Sequence, residues 1–164
     1  MKAGDILAKV PFFADVLDEA QLDALAASAK RVEFDRFSTL MHEGDRDDSL
    51  LVIASGTVNV SVAGRPQTVA TLGEGDVVGE MSLLTGAPRS ATVTAVRPVV
   101  AFEIDKAALE PILLMSPSLF ERFAATVETR RSELDRIYGP SFAEVYLSSR
   151  SHLVAAMRAF FGKA

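Results

Sequence analysis

Glu80 and Arg89 bracket a short apolar stretch in the run GEGDVVGEMSLLTGAPRSATV at 73–93. The valines before Gly79 read as a strand-like approach. Residues 80–84 are enough for one or two helical turns, Gly86-Ala87-Pro88 makes a turn, and Arg89 stands at the entrance of the next strand. A short helix with an open N-terminus presents amide N–H groups that have no intrahelical partner, together with a partial positive charge. Such an end receives a phosphate. Gly79 lets the backbone come close, and Arg89 adds a charge-assisted clamp on the same phosphate. A carboxylate beside a phosphate is repelled by it. Glu80 is therefore expected to face a neutral donor such as a sugar hydroxyl, although a lone acid there is also favoured by the helix dipole. The chemistry legible in this run is the binding of a phosphate.

Nothing in the sequence points to catalysis. The chain has no cysteine, which excludes disulfides, thiolate metal sites and cysteine nucleophiles. Its two histidines, His42 and His152, are far apart in sequence, so no histidine-built zinc site is expected, and His42 reads as structural or exposed. The acidic cluster at 43–48 lacks the spacing of a calcium loop and reads as a turn. Neither a metal, a cofactor nor an activated nucleophile is expected.

Charge sets a further limit. Of 17 basic and 22 acidic residues, 9 and 15 fall in 1–104, a net of −6, against 8 and 7 in 105–164, a net of +1. Neither part has the basic excess that drives nucleic-acid binding. An anionic ligand must be held by a local, directed site rather than by the overall field. No apolar run approaches the ~18–20 residues of a membrane span, and residues 1–9 lack the charged-then-apolar pattern of a signal peptide. A cytoplasmic location is the expectation, either free or as the cytoplasmic part of a membrane protein.

The elements that must position these residues follow from periodicity. Seven of ten glycines fall between 44 and 86, among short β-branched runs, so tight turns are frequent there. Thr-Val-Asn-Val-Ser-Val at 57–62 alternates strictly, as a strand with one buried face does. A turn at 63–66 returns the chain as a partner strand over 67–72, and runs at 50–54, 90–96 and 99–104 are further strands. The flanks are helical: 17–30, then a helix capped by Asp105 and running to Met115, then 118–138 after the Ser116-Pro117 break. Gly139-Pro140 ends that helix. A last helix is expected over 141–161, with Phe142, Tyr146, Leu153, Met157 and Phe160 roughly aligned. The fold expected is α+β: an antiparallel β-roll or jelly-roll barrel of short strands flanked by N-terminal and C-terminal helices. The organisation expected is one domain over 1–138 (helices about 5–30, roll about 31–104, helices 105–138) with a helical extension at 139–164.

GEMSLLTGAPRSATV at 79–93 resembles the phosphate-binding cassette of cyclic nucleotide-binding domains. Glu43-Gly44-Asp45-Arg46-Asp47-Asp48 is similar to that family's EGDxxD turn, Ser55-Gly56-Thr57-Val58 to its SGxV turn, and 7–25 to its helical lead-in. The resemblance spans roughly residues 5–138. It departs from the family at Asp35-Arg36-Phe37-Ser38, where a glycine is common. It implies that Arg89 pairs with the exocyclic phosphate oxygens of cAMP or cGMP and that Glu80 accepts from the ribose 2′-hydroxyl. It implies that Gly79, Met81 and Ser82 contribute amides or close approach, and that Ser90 and Ala91 complete the surroundings. Val69, Val77 and Met81 are candidates for the apolar wall near the base.

The long helix adds an inference from spacing. Its apolar face runs 120, 123, 127, then 134 and 137, and the missing step holds Arg130 and Arg131. A guanidinium there can stack on a purine. The resemblance implies a lid of this kind, and the sequence leaves open which arginine serves.

The function expected is a sensor that turns cyclic nucleotide binding into movement of its C-terminal helices. It would act as the regulatory domain of a channel or transporter, with a membrane partner or a second copy meeting those helices. The alternative is a free-standing signalling protein, or a truncated transcription regulator lacking its DNA-binding domain. Only 26 residues follow Tyr138, with three basic side chains among them, Arg150, Arg158 and Lys163. That is too little for a helix-turn-helix reader, so no nucleic-acid partner is expected.

Overall fold

The apolar run at 50–54 is continuous rather than alternating, which means a strand buried on both faces. The computed structural model, which describes residues 2–64, 68–138 and 150–162, shows why. Three helices open the chain: α1 (Ala3–Leu7), α2 (Pro11–Ala14) and α3 (Glu19–Ser28). Next come β1 (Lys30–Phe34), β2 (Thr39–Met41), β3 (Ser49–Ser55), β4 (Thr57–Ser61), β5 (Ala70–Gly73) and β6 (Val77–Val78). The short helix α4 (Glu80–Thr85) separates β6 from β7 (Thr92–Ala95) and β8 (Val99–Asp105). Three helices close it: α5 (Lys106–Met115), α6 (Leu119–Tyr138) and α7 (Arg150–Phe161).

The strands form two antiparallel four-stranded sheets, ordered β1-β8-β3-β6 and β2-β7-β4-β5. Their facing surfaces enclose one apolar cluster, and the outer face of the first sheet meets the helices in a second. Strand β3 lies between the two. Leu50, Val52 and Ala54 point to the helices, while Leu51 and Ile53 point into the roll. The alternation in β4 sends Val58 and Val60 inward, opposite Leu72 and Ala70 of β5 on one side and Ala95 and Val93 of β7 on the other. The fold is thus the α+β antiparallel roll with flanking helices.

Several bounds differ from expectation. The first long helix starts at Glu19, not at 17, because Asp18 and Gln21 form a reciprocal capping box with bonds of 2.8 and 2.9 Å. It ends at Ser28, and Lys30 opens β1, which pairs with β8 from Lys30↔Glu103 to Phe34↔Val99. The strand expected over 90–96 is confined to Thr92–Ala95, since 89–91 form the loop that carries the site. The helix after Asp105 is as expected, with the Asp105 carboxylate accepting from the Ala108 amide at 2.9 Å. The turn at 65–66 and the residues Gln67, Gly139, Pro140, Phe142 and Tyr146 lie outside the described residues, as do the side chains of Leu134 and Ile137.

Phe37 explains how the chain does without a glycine in its turn. It adopts φ 71°, a left-handed conformation that bulky residues seldom take. Its amide donates to the Ala95 carbonyl at 2.8 Å, and the Arg36 guanidinium lies 4.5 Å from its ring centroid.

Helix α6 is moored at its start by aromatic packing. Phe123 lies 5.7 Å from Phe12 and 6.2 Å from Phe13, centroid to centroid. Leu153, Met157 and Phe161 of α7 enter the same helical cluster, so this part of the expected extension packs onto the domain.

Candidate functional site

Arg89 follows Pro88 in the loop from α4 to β7, and its backbone is tied to the acidic turn at 43–48. Its amide donates to the Asp45 carbonyl at 2.7 Å, and its carbonyl accepts from the Gly44 amide at 2.8 Å. The side chain turns inward and is only 6% exposed. Nη1 donates to the Ser49 carbonyl and, at 3.4 Å, to the Gly79 carbonyl. Nη2 donates to Ser49 Oγ at 3.1 Å and faces Asp47 Oδ2 at 3.6 Å. Ser49, itself 2% exposed, donates its hydroxyl hydrogen bond to Asp47 Oδ1 at 3.1 Å. Burial lowers the Arg89 pKa below the ordinary guanidinium range, while Asp47, Glu103, Asp48 and Glu80 act to raise it. A buried cation in this acidic part of the chain has several carboxylates supporting its charge.

Gly79 sits where β6 becomes α4. It adopts φ 85°, and a Cβ there would lie 2.6 Å from Arg89 Nη1 and 2.7 Å from Met41 Cε. Glycine is required at this position twice over, for the backbone angle and for the space. The glycine at the other end of α4, Gly86, is also left-handed at φ 73°. Helix α4 buries Glu80, Met81, Ser82, Leu83 and Leu84, so its side chains fix it against the roll while its first-turn amides remain without intrahelical partners.

Glu80 is 4% exposed. Its Oε1 accepts from Arg130 Nε at 3.2 Å, and Arg130 Nη2 donates to the Val77 carbonyl at 2.6 Å. The interrupted stripe on α6 is the reason: Arg130 stands one step beyond Val127 on the face that meets the roll, with its side chain 17% exposed. The arginine thus joins the end of the domain to α4 across the cleft.

These groups border one cleft, partly open to solvent. Gly79, Glu80, Met81, Ser82, Arg89, Ser90, Ala91 and Arg130 all line it. Arg131 is not among the lining residues. Ser90 is exposed at the rim and Ala91 is buried. Val77 and Met81 belong to the lining as expected. Val69 does not, and the wall is built instead by Val60, Leu72 and Val93 from three strands of the second sheet, with Met41 beside Gly79. Ser49 was not singled out in the sequence either, because its role depends on a partner 40 residues away. The acidic turn is structural, as its spacing suggests, and it also supplies the Asp47 carboxylate to Arg89.

The arrangement has a cationic end, a carboxylate at its middle and an apolar wall. Among the described residues, no group of three histidine, aspartate or glutamate side chains is gathered closely enough to hold a metal ion.

The family model for the cyclic nucleotide-binding domain matches residues 31–116. A solved cyclic nucleotide-binding domain from Methylobacillus flagellatus superposes with a TM-score of 0.70 at 25% identity, covering 90% of this chain and 88% of that one. The acetyltransferase Pat of Mycolicibacterium smegmatis is 34% identical over 79% of this chain and 39% of its own length. A CRP-like cAMP-activated global transcriptional regulator of Mycobacterium tuberculosis is 29% identical over 77% of this chain and 57% of its own length. The chain therefore spans less than two thirds of either of these curated relatives.

Proposed function

The chain belongs to the cyclic nucleotide-binding domain family, and from that premise we propose that its cleft binds a cyclic purine nucleotide, cAMP or cGMP, as a sensor without catalysis of its own. The observation that carries the reading is the buried Arg89 on one cleft with the buried Glu80. In this reading Arg89 pairs with the exocyclic phosphate oxygens, and the amides of Met81 and Ser82 point to the same anion. Glu80 accepts from the ribose hydroxyl through a carboxylate whose Oε1 is already committed to Arg130. Ser90 and Ala91 border the phosphate and ribose. The base lies against the wall of Val60, Leu72 and Val93, covered by Arg130 from α6.

Such a site converts occupancy into helix position. The ligand touches α4 and, through Arg130, α6. A conformer in which α6 covers the base gains contacts that an open one lacks, and only that difference in affinity can shift the population. The effector is part of the proposal. The matched portion is a fraction of a protein named an acetyltransferase and of a transcriptional regulator, which supports a module that serves different effectors. A channel or transporter domain is the effector context expected from the sequence, with a membrane partner or a second copy meeting the C-terminal helices. No helix among the described residues is long and apolar enough to cross a membrane. The compartment proposed is the cytoplasm, and the net charge of −5 argues against a nucleic-acid partner.

Isothermal titration of the full chain with cAMP and with cGMP tests the reading. The expected result is saturable one-site binding and a rise in melting temperature with at least one of them. Absence of heat and of any thermal shift with both refutes it.

A further inference from the structure

Helix α7 packs against α4 but supplies no residue to the cleft. Its contact is made at the other end of α4. The Phe160 ring lies so close to Gly86 that a Cβ on that glycine would fall 2.6 Å from one ring carbon and 2.8 Å from the next. Arg46, Asp47, Asp48, Gly86 and Phe160 surround one surface groove, so the ring lies beside the acidic turn as well. Lys106 completes the seat. Its Nζ lies 4.2 Å from the Phe160 ring centroid, and its amide donates to the Asp48 carbonyl at 2.9 Å.

Phe160 meets one of the two segments that hold Arg89, at Gly86, and shares a groove with the other. The acidic turn binds the Arg89 backbone through Gly44 and Asp45 and its side chain through Asp47. Helix α4 begins at Gly79, whose missing Cβ leaves room for the guanidinium. A helix of six residues, fixed at one end by Gly79 against Arg89 and at the other by Gly86 against Phe160, has little freedom to shift at one end alone. We infer that Phe160 is a positioning residue for the phosphate end of the cleft, and that docking of α7 and binding of the cyclic nucleotide strengthen each other. The inference rests on the proposed reading of the cleft. Its physical content is reciprocity: a ligand that fixes α4 and the Arg89 loop favours docked α7, and docked α7 raises the affinity by the same factor.

The test uses the full chain and cAMP, with cGMP in parallel. Amide hydrogen exchange across residues 150–161 of the unaltered protein is measured with and without saturating ligand. The exchange there is expected to slow by about 5-fold or more, the lower end of the usual span of such couplings. Phe160→Ala is expected to weaken binding about 10-fold, and Phe160→Leu, which keeps most of the apolar bulk, by no more than ~3-fold. The exchange measurement needs no variant and so decides even where Phe160→Ala fails to fold. Ligand binding with unchanged exchange across α7 overturns the coupling and leaves the proposed function standing. Equal affinities for wild type and a folded Phe160→Ala overturn the positioning role. No binding by the unaltered protein overturns both readings together.

Discussion

Replacing Gly79 by alanine separates two costs that the structure makes visible. The first is the backbone. At φ 85° a side chain is strained by ~1–2 kcal/mol. The second is space. The new Cβ would meet Met41 Cε at 2.7 Å and Arg89 Nη1 at 2.6 Å, well inside van der Waals contact. The methionine end is flexible and gives way easily. The guanidinium yields only by leaving Ser49, and a hydrogen bond to a charged group is worth ~1.5–3 kcal/mol. The total expected loss of stability is therefore ~2–4 kcal/mol, with partial relaxation keeping it below the sum of the upper limits. Cyclic nucleotide affinity should fall ~10–100-fold, because each ~1.4 kcal/mol of misplaced clamp is a factor of ten. Gly75 provides the control. It has nearly the same angle, φ 86°, but nothing within 4 Å of its missing Cβ. Gly75→Ala should lose only the backbone cost, ~1–2 kcal/mol, and bind as wild type does. Urea unfolding gives the stabilities and calorimetric titration the affinities. Equal stability loss in the two variants would refute the steric part of the reasoning. Wild-type affinity in Gly79→Ala would refute the claim that ligand binding depends on where Arg89 is held.

Four further expectations follow from the same geometry. Arg89→Ala should weaken ligand binding by ~1.5–3 kcal/mol, the scale of a lost charged hydrogen bond, and unchanged affinity in titration would place the phosphate elsewhere. Ser49→Ala removes a hydroxyl that holds Nη2 while leaving the Ser49 carbonyl on Nη1, so affinity should fall by a smaller step, ~1 kcal/mol, with a stability loss of similar size in chemical denaturation. Arg130→Ala, which removes the guanidinium from the buried Glu80 Oε1, should weaken binding ~5–20-fold and lower the melting temperature. Arg131→Ala, outside the cleft, should change affinity by less than ~2-fold, and a larger effect there than at Arg130 in parallel titrations would reverse the assignment.

What was legible in the sequence is what is local along the chain. The cassette at 79–93 is legible because a left-handed glycine, a one-turn helix and an arginine after a proline are all set by neighbouring residues. The Asp105 cap and the alternating strand at 57–61 are legible for the same reason. The start of α3 lies two residues beyond the one apolar spacing suggests, because hydrogen bonding at Asp18 rather than hydrophobic pattern sets where the helix begins. Strand β1, KRVEF, carries charges that hide its period, and its pairing with β8 is what makes it a strand.

The sequence by itself determined the class of fold, the cationic and acidic members of the site and the presence of an arginine on the inner stripe of the long helix. Tertiary structure alone decided three things. It chose Arg130 over Arg131 by meeting Glu80 and the Val77 carbonyl, 50 and 53 residues earlier in the chain. It assembled the apolar wall from Val60, Leu72 and Val93 through strand register, which no single strand encodes. It brought Ser49 under Arg89 and Phe160 against Gly86. The physical reason is common to all three. A backbone turn is chosen by energies between neighbours in sequence, whereas a side-chain partner is chosen by the packing that brings distant segments within a few ångströms.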